Sequence, residues 1–268
     1  MASYPKSGNT WTKIVLSNYL INPDEPLSIN EVGKYSIGDA WADGHEKIAG
    51  PAFDRSHPYQ HLQYRHEFLR RIANNGADVN LVKTHNLNGE IAGVRLIPAA
   101  LSKAAIYILR HPFDIAISYA RHMGITVPHA SKHLSREDNT TKGGGEYVKQ
   151  FLGSWSVHVE SWTSIKAFPV HVIRYEDMKQ NPEDVFGGII KKLNIPFDSD
   201  RLAKALKFSS FEELQKQEAK EGFREASSNS DKFFHSGTTG QWKGALSEED
   251  QAVILQKNEA VMREFGYA

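Results

Sequence analysis

The chain has 268 residues, and Lys plus Arg equal Asp plus Glu at 32 each. This balance excludes a global field that would draw the chain to nucleic acid or to an anionic membrane. The absence of cysteine excludes disulfides, thiolate metal sites and cysteine nucleophiles.

With 40% hydrophobic residues, a chain of this length can bury one large core, so we expect a single domain over 1–268. No apolar run approaches the roughly 20 residues that span a bilayer. The Pro5-Lys6 turn stands where a signal peptide would have its apolar core. The sequence therefore predicts a soluble, cytoplasmic protein without a membrane or nucleic-acid partner.

An octapeptide at 4–11, Tyr-Pro-Lys-Ser-Gly-Asn-Thr-Trp, leads into a helical pattern at 11–20. The first N–H groups of a helix lack partners inside it, so a loop that enters a helix can hold phosphate oxygens. Lys6 adds a charge, and Gly8 lets the backbone approach closely. The spacing differs from the usual P-loop, in which Lys follows the second Gly. Taken alone, the octapeptide is better explained by an ordinary turn with an exposed Lys.

The rest of the chain alternates between strand and helix patterns. Short apolar runs predict strands at 79–82, 105–109 and 170–173, and three-to-four spacing predicts helices at 113–123, 147–167 and 183–193. Segment 22–65 is polar and predicts an excursion with short helices, while 124–145 predicts a mobile loop or lid. We expect the walls of a ligand pocket from both segments. The alternation predicts a three-layer α/β/α fold with a central, mostly parallel sheet.

Polar side chains follow the predicted strands where each strand ends. They are Lys83-Thr84-His85, Arg110 with Ser118 two turns further on, and Arg174-Tyr175. Each group also has an interpretation without a ligand. Lys83-Thr84-His85 could be a solvated turn, Arg110 could pair with Asp114, and Tyr175 could pack in the core. Ligands bind beyond the carboxyl ends of parallel strands. The occurrence of these polar groups together with the octapeptide therefore predicts one shared anionic ligand.

At this point the chain resembles the PAPS-dependent sulfotransferases, whose fold is P-loop-like. The octapeptide is similar to their 5′-phosphosulfate loop, 110–118 to their 3′-phosphate motif, and 83–85 to the segment with their catalytic His. Segments 175–179 and 209–211 resemble their adenine-side segments, and 237–243 resembles their last nucleotide loop. The matches run in family order from residue 4 to residue 243.

The resemblance implies transfer of a sulfuryl group from PAPS to a hydroxyl, with PAP as product and no metal. His85 would take the acceptor proton, Lys6 would stabilise the leaving oxygen, and Lys83 is a second candidate for the sulfuryl oxygens. Trp11 and Phe211 would sandwich adenine. The implied donor-binding residues are Lys6, Ser7, Gly8, Asn9, Thr10, Trp11, Arg110, Ser118, Tyr175, Ser209, Phe211, His235, Ser236 and Gly237.

The chain departs from the family pattern in its last loop. His235-Ser236-Gly237 stands where the family usually has Arg-Lys-Gly or Arg-Ser-Gly. Because an unperturbed imidazole is mostly neutral above pH ~7, we predict looser PAPS binding there. Ser247-Glu248 replaces the central pair of the family's dimer motif, which leaves the oligomeric state open. Few residues precede the octapeptide, so the first strand is either very short or begins upstream.

Other residues have less specific interpretations. His122, His129 and His133 are expected at the surface or in an acceptor pocket rather than on a metal, and Trp155 and Trp162 are expected in the core.

The acceptor is predicted to be a small or medium-sized phenol, alcohol or sugar. Ala2 to Lys6 and 153–155 also resemble bacterial sulfotransferases that modify peptide antibiotics, which implies a natural-product phenol as one acceptor. Two alternatives stay open, a nucleotide phosphotransferase with an atypical loop and a non-catalytic nucleotide-binding protein.

Overall fold

Most strands of the chain lie in one parallel sheet. A computed structural model describes residues 1–227, 229 and 232–268. The strands are β1 (Ala2–Ser3), β2 (Ser36–Gly38), β3 (Leu81–Lys83), β4 (Glu90–Ile91), β5 (Val94–Arg95), β6 (Ala105–Leu109) and β7 (Val170–Arg174). β1 pairs in parallel with β6, β6 with β7, and β2 with β3. β4 and β5 form a separate antiparallel hairpin.

A short backbone connection joins β3 to β1. Ala2 forms an isolated parallel bridge with Thr84, the residue after β3. The Thr84 N–H donates to the Met1 carbonyl oxygen at 3.0 Å, and the Met1 amino group donates to the Val82 carbonyl oxygen at 2.7 Å. The resulting order β2-β3-β1-β6-β7 is parallel throughout, which confirms the predicted sheet. β1 spans two residues.

Helices cover both faces of this sheet. They are α1 (Asn9–Ile21), α2 (Ala42–Ala49), α3 (Leu62–Ala73), α4 (Pro112–Met123), α5 (Val127–Leu134), α6 (Trp155–Thr163), α7 (Tyr175–Gln180), α8 (Pro182–Lys192), α9 (Ser199–Phe208), α10 (Phe211–Glu221) and α11 (Glu248–Glu264). Side chains of β6 alternate between two cores, as the two-residue period of a strand requires. Tyr107 and Leu109 pack with α4, α6 and α11, whereas Ile106 and Ile108 pack with α1, α8 and α9. The three-layer prediction is confirmed.

Most predicted elements match closely, and β6 matches residue for residue. The predicted helices at 11–20, 113–123 and 183–193 correspond to α1, α4 and α8. The strand predicted at 79–82 begins two residues later because Val79 is 42% exposed and points out of the core. Trp155 and Trp162 are buried in the core, as predicted.

The structure of two segments was predicted wrongly. Residues 127–134, expected in a loop, form α5, whose Ala130 and Leu134 are fully buried. Residues 147–154, expected in a helix, are irregular, with Tyr147 and Phe151 in isolated bridges. α6 begins only after Ser154, whose Oγ accepts a hydrogen bond from the Val157 N–H at 3.2 Å. Val148, Phe151 and Leu152 are buried in this irregular stretch, and their spacing in the sequence resembles that of a helix.

The predicted excursion at 22–65 contains α2 and the start of α3, but also β2, which the sequence did not indicate. β2 pairs with β3 and forms one edge of the sheet. In the described part of the chain, no helix combines the length and apolarity needed to cross a bilayer. The carboxyl ends of β1, β3, β6 and β7 lie along the same edge, because these strands are parallel neighbours.

Candidate active site

A cavity of about 1140 Å³ opens along the carboxyl edge of the sheet. Most of the predicted site residues line it, although they come from segments more than 200 residues apart. The lining includes Lys6, Gly8, Asn9, Thr10, Trp11, Lys83, His85, Arg110, Ser118, Tyr175, Phe211, His235, Ser236 and Gly237. Two predicted residues, Ser7 and Ser209, are buried behind this lining.

The turn between β1 and α1 has an unusual backbone. Lys6 has a φ of 68° and Gly8 a φ of 101°, both in the left-handed region. A Cβ atom at Gly8 would lie 2.6 Å from the Tyr175 ring, so glycine is required for packing as well as for conformation. Strain at a residue such as Lys6 costs on the order of 1–3 kcal/mol and is typical of binding sites.

Lys6 is a cation in a desolvated, positively charged environment. Its Nζ lies 4.2 Å from the centroid of the Phe233 ring. Burial, together with the charges of Lys83 and Arg110, lowers the pKa of Lys6 to about 7. Lys6 therefore exchanges its proton near neutral pH in the free protein, and an anionic ligand would favour the protonated form.

His85 is held in one tautomer by the end of β1. Its Nδ1 lies 2.8 Å from the Ser3 carbonyl oxygen, which can only accept, so Nδ1 carries the proton and Nε2 is left as an acceptor. The His85 backbone N–H donates to Gln150 Oε1 at 2.9 Å. Burial and the charge of Lys83 lower the pKa of His85 to about 3. The imidazole is therefore neutral and available as a base at physiological pH.

A second histidine fixes the backbone of His85. His158 Nε2 donates to the His85 carbonyl oxygen at 3.1 Å, and the Tyr107 hydroxyl donates to His158 Nδ1 at 2.9 Å. Both supporting residues are fully buried. Sequence reasoning missed His158 because its role depends on a contact 73 residues away.

A buried ion pair supports the same turn from the other side. Asp39 pairs with Arg65, and each side chain is only 1% exposed. Asp39 Oδ2 also accepts hydrogen bonds from the Thr84 hydroxyl at 2.7 Å and from the Asn86 side-chain amide at 3.0 Å. Burial raises the pKa of Asp39, but the charge of Arg65 and the hydrogen bonds outweigh burial and keep that pKa below its ordinary value. The pair therefore positions residues on both sides of His85.

Arg110 connects three of the site segments. Its Nη1 donates to the Lys6 carbonyl oxygen at 2.9 Å, its Nη2 donates to the Thr238 carbonyl oxygen at 3.3 Å, and its guanidinium lies 4.2 Å from the Tyr175 ring centroid. Asp114 approaches Arg110 only to 4.0 Å. Asp114 also accepts from the backbone N–H groups of Gly240 and Trp242. The Arg110–Asp114 pair is therefore present as a long ion pair, alongside the closer contacts of Arg110 with the site segments.

The aromatic slot predicted for adenine consists of Trp11 and Phe211, which both line the cavity. The Trp11 indole N–H donates to the Ser209 carbonyl oxygen at 2.9 Å, and Ser209 Oγ accepts from the Asn18 amide at 3.2 Å. Ser209 thus orients Trp11 from behind rather than lining the cavity. A Cβ atom at Gly237 would lie 2.5 Å from the Phe211 ring, so only glycine lets the last loop approach this ring.

Several buried polar atoms near the turn lack partners among the described residues. They are Ser7 Oγ, Asn9 Oδ1 and Arg110 Nε. An unsatisfied buried polar group costs about 1–3 kcal/mol, so such groups are normally paired. Together with the unpaired N–H groups at the start of α1, they fit a polyanionic ligand at this turn.

Glu225 also lines the cavity, although no motif in the sequence indicated it. Its carboxylate pairs with Lys13 and with Lys83, and it accepts from the Thr10 hydroxyl at 3.2 Å. Lys83 lies 142 residues earlier in the chain. A local pattern could not have identified this contact.

The three histidines of the predicted loop region separate into two groups. His122 lines the cavity, whereas His129 and His133 stack on each other outside it, with ring centroids 5.2 Å apart. Throughout the described ranges, no three His, Cys, Asp or Glu residues are grouped to hold a metal ion.

Several aromatic residues contribute to the lining of the cavity. Trp41 from segment 22–65 lines it together with Tyr119 and His122 of α4, and with Tyr147 and Phe233. Trp41 and Tyr147 are connected by an isolated antiparallel bridge and are 38% and 43% exposed. Lys142 and Gly144 contribute from segment 124–145. Both segments predicted to supply pocket walls therefore do supply lining residues.

Comparisons with known proteins give one consistent result. The family profile described as "Sulfotransferase domain" matches residues 1–266. Sulfotransferase 1B1 of Canis lupus familiaris is 24% identical over 279 residues, covering 97% of this chain and 82% of the relative. Sulfotransferase 1 family member D1 of Mus musculus is 27% identical over 268 residues, covering 92% and 77%.

Solved structures agree in fold. The mouse sulfotransferase SULT7A1 complexed with PAP has a TM-score of 0.60 at 20% identity, covering 99% of this chain and 87% of that chain. Retinol dehydratase in complex with androsterone and PAP has a TM-score of 0.64 at 17% identity, covering 97% and 79%.

Proposed function

The chain belongs to the sulfotransferase family, and from this premise we propose that it transfers the sulfuryl group of PAPS to a hydroxyl group of a small or medium-sized acceptor. The observation that carries the proposal is His85. It is neutral, its Nδ1 is occupied by a backbone carbonyl, and it lines the same cavity as Lys6 and Lys83.

The nucleotide would lie along the line of strand ends. The turn from Lys6 to Thr10 would hold its 5′ end, where Ser7 Oγ lacks a partner in the described part of the chain and the start of α1 has no side-chain cap. Arg110 and Ser118 would hold the 3′-phosphate, and the unpartnered Nε of Arg110 supports this assignment. Trp11, Phe211 and Gly237 would enclose adenine.

His85 would act as the general base. The acceptor hydroxyl would give its proton to Nε2 as its oxygen forms a bond to sulfur, and the bond from sulfur to the 5′-phosphate oxygen breaks. The Ser3 carbonyl oxygen would stabilise the imidazolium that results, because it already accepts from Nδ1. The pKa of about 3 for the free His85 would rise when the anionic donor is bound, since negative charge favours the imidazolium.

Lys6 and Lys83 would stabilise the departing charge. PAPS supplies the sulfuryl group and leaves as PAP, whose 5′-phosphate gains negative charge in the reaction. Lys6 is half-buried in the cavity wall and makes no ion pair within the described residues, so its charge is available to the nucleotide. Positive groups aimed at developing charge in a desolvated site are among the largest contributions to catalysis.

The acceptor would occupy the aromatic half of the cavity. Trp41, Tyr119, Tyr147 and Phe233 offer ring faces and edges rather than charged groups, which favours an apolar or aromatic body that carries a hydroxyl. Solved relatives bind androsterone and retinol, which are hydroxyl compounds of this kind.

Radiolabelled PAPS with a panel of phenols, alcohols and sugars tests the proposal. We expect the parent to label one class of acceptor. His85→Ala should reduce kcat by about 10²–10⁴-fold, the usual contribution of a general base. Lys6→Ala should reduce it by about 10²-fold or more.

His129→Ala is the matched control, because it removes an exposed imidazole that does not line the cavity. It should retain the activity of the parent. Transfer by His85→Ala at a rate near that of the parent would show that His85 is not the base.

A further inference from the structure

Glu225 places a carboxylate among cations that the proposed function assigns to the nucleotide. It accepts from Lys83 Nζ at 2.9 Å and from the Thr10 hydroxyl at 3.2 Å, both through Oε2, and its Oε1 pairs with Lys13. Its side chain is 22% exposed, and that of Lys13 is 4% exposed. The carboxylate is therefore a largely desolvated part of the cavity wall.

The carboxylate is ionised throughout the physiological range. Burial raises the pKa of Glu225, but the charges of Lys83 and Lys13 outweigh burial and hold that pKa well below its usual range. Arg224, its neighbour in the chain, also lines the cavity but is exposed. The negative charge of Glu225 is thus directed at Lys13, Lys83 and Thr10.

Resting on the proposed function, we infer that Glu225 is an internal competitor for the 5′ end of the nucleotide. The single hydroxyl donor of Thr10 cannot serve Glu225 and a 5′-phosphate at once, and two anions in one desolvated site repel each other. The nucleotide therefore binds in exchange for the carboxylate. After transfer, the carboxylate returns to the cations and promotes release of PAP.

The exchange lowers the apparent affinity for PAP by a factor that depends on how often Glu225 holds the cations in the free protein. If Glu225 holds the cations in roughly nine of ten free molecules, the dissociation constant is about tenfold larger than that of a site without it. Removal of the carboxylate should therefore tighten binding. A residue that merely supported Lys83 would have the opposite effect.

Calorimetry with two nucleotides tests the inference. We expect Glu225→Gln to bind PAP about tenfold more tightly than the parent. Its affinity for adenosine 3′-monophosphate, which lacks the 5′-phosphate, should stay within about twofold of the parent. Glu221→Gln is the matched control, because it removes the same charge four residues away, where Glu221 contacts Ser28. It should bind both nucleotides as the parent does.

Each other outcome is decisive. Equal or weaker PAP binding by Glu225→Gln overturns the inference, as does equal tightening for both nucleotides, which would indicate a general charge effect. A parent that fails to bind PAP contradicts the proposed function itself. If Glu225→Gln does not fold, Glu225→Asp keeps the charge but is one methylene too short to reach all three partners. It should then bind PAP more tightly than the parent, and unchanged binding would overturn the inference.

Discussion

Lys6 is the residue whose protonation links the site most directly to pH. Its amine must be charged to attract a 5′-phosphosulfate, yet burial and the neighbouring cations lower its pKa to about 7. The turn that carries it is also strained, with a φ of 68°. A half-buried, easily deprotonated cation therefore lies where the nucleotide would bind.

We expect PAP affinity to fall as pH rises above 7. The sign follows from the lowered pKa, because the ammonium that favours the anion is present below pH 7 and is lost above it. The loss should approach about tenfold per pH unit. Calorimetry of PAP binding between pH 6 and 8.5 measures it.

Two variants separate Lys6 from His235, the residue that the sequence predicted to cause such a pH dependence. Lys6→Arg stays protonated throughout this range and should flatten the profile. His235→Arg should leave the slope in place. A slope that disappears only in His235→Arg would assign the effect to His235.

At the scale of elements, the turn after β3 depends on Asp39, which comes directly after β2. β2 was not apparent from the sequence, because it is three residues long within a polar segment. Its pairing with β3 brings Asp39 to Thr84 and Asn86, on both sides of His85. The sequence indicated the turn that carries His85 but not the element that supports it.

Asp39→Asn should destabilise the protein by about 3–5 kcal/mol, because it leaves the Arg65 guanidinium buried without its counter-charge. Urea unfolding measures the change. Asp138→Asn is the control, since its pair with Arg136 is exposed and should leave the free energy of unfolding near that of the parent. Equal stability of Asp39→Asn and the parent would show that the pair does not support the turn.

The last loop and α10 meet at Gly237 and Phe211. Gly237→Ala should weaken PAP binding by about tenfold or more, because its Cβ would lie 2.5 Å from the ring of the aromatic slot and overpacking costs about 1–3 kcal/mol. Gly244→Ala is the control. Like Gly237, Gly244 has a positive φ, 78°, but a Cβ there would meet nothing within 4 Å. PAP titration of both variants compares them. Equal PAP affinities of the two variants would show that adenine does not bind beside Gly237 and Phe211.

At the scale of the whole molecule, the parallel sheet explains why so much of the site was predictable. Each strand and the polar group after it are local in sequence, and parallel neighbours bring these groups to one edge. Lys6, His85, Arg110 and Tyr175 were found in this way, and all line the cavity.

Long-range contacts explain what was missed. Glu225 reaches Lys83 from another segment, and His158 supports His85 through a backbone carbonyl. α5 did carry local signals, because Thr126 precedes it and Pro128 lies in its first turn. The polar and histidine-rich composition of this segment nevertheless resembled a loop.

The measurement that tests the account most directly is the coupling of PAPS consumption to ester formation. The protein is incubated with PAPS, EDTA and the acceptor class found in the panel, and PAP and product are quantified together by mass spectrometry. We predict one sulfate ester for each PAP released, at a rate that EDTA does not change and that falls by about 10²-fold or more in His85→Ala. PAPS that stays intact with every acceptor, or transfer of phosphate from ATP that requires Mg²⁺, would contradict the account.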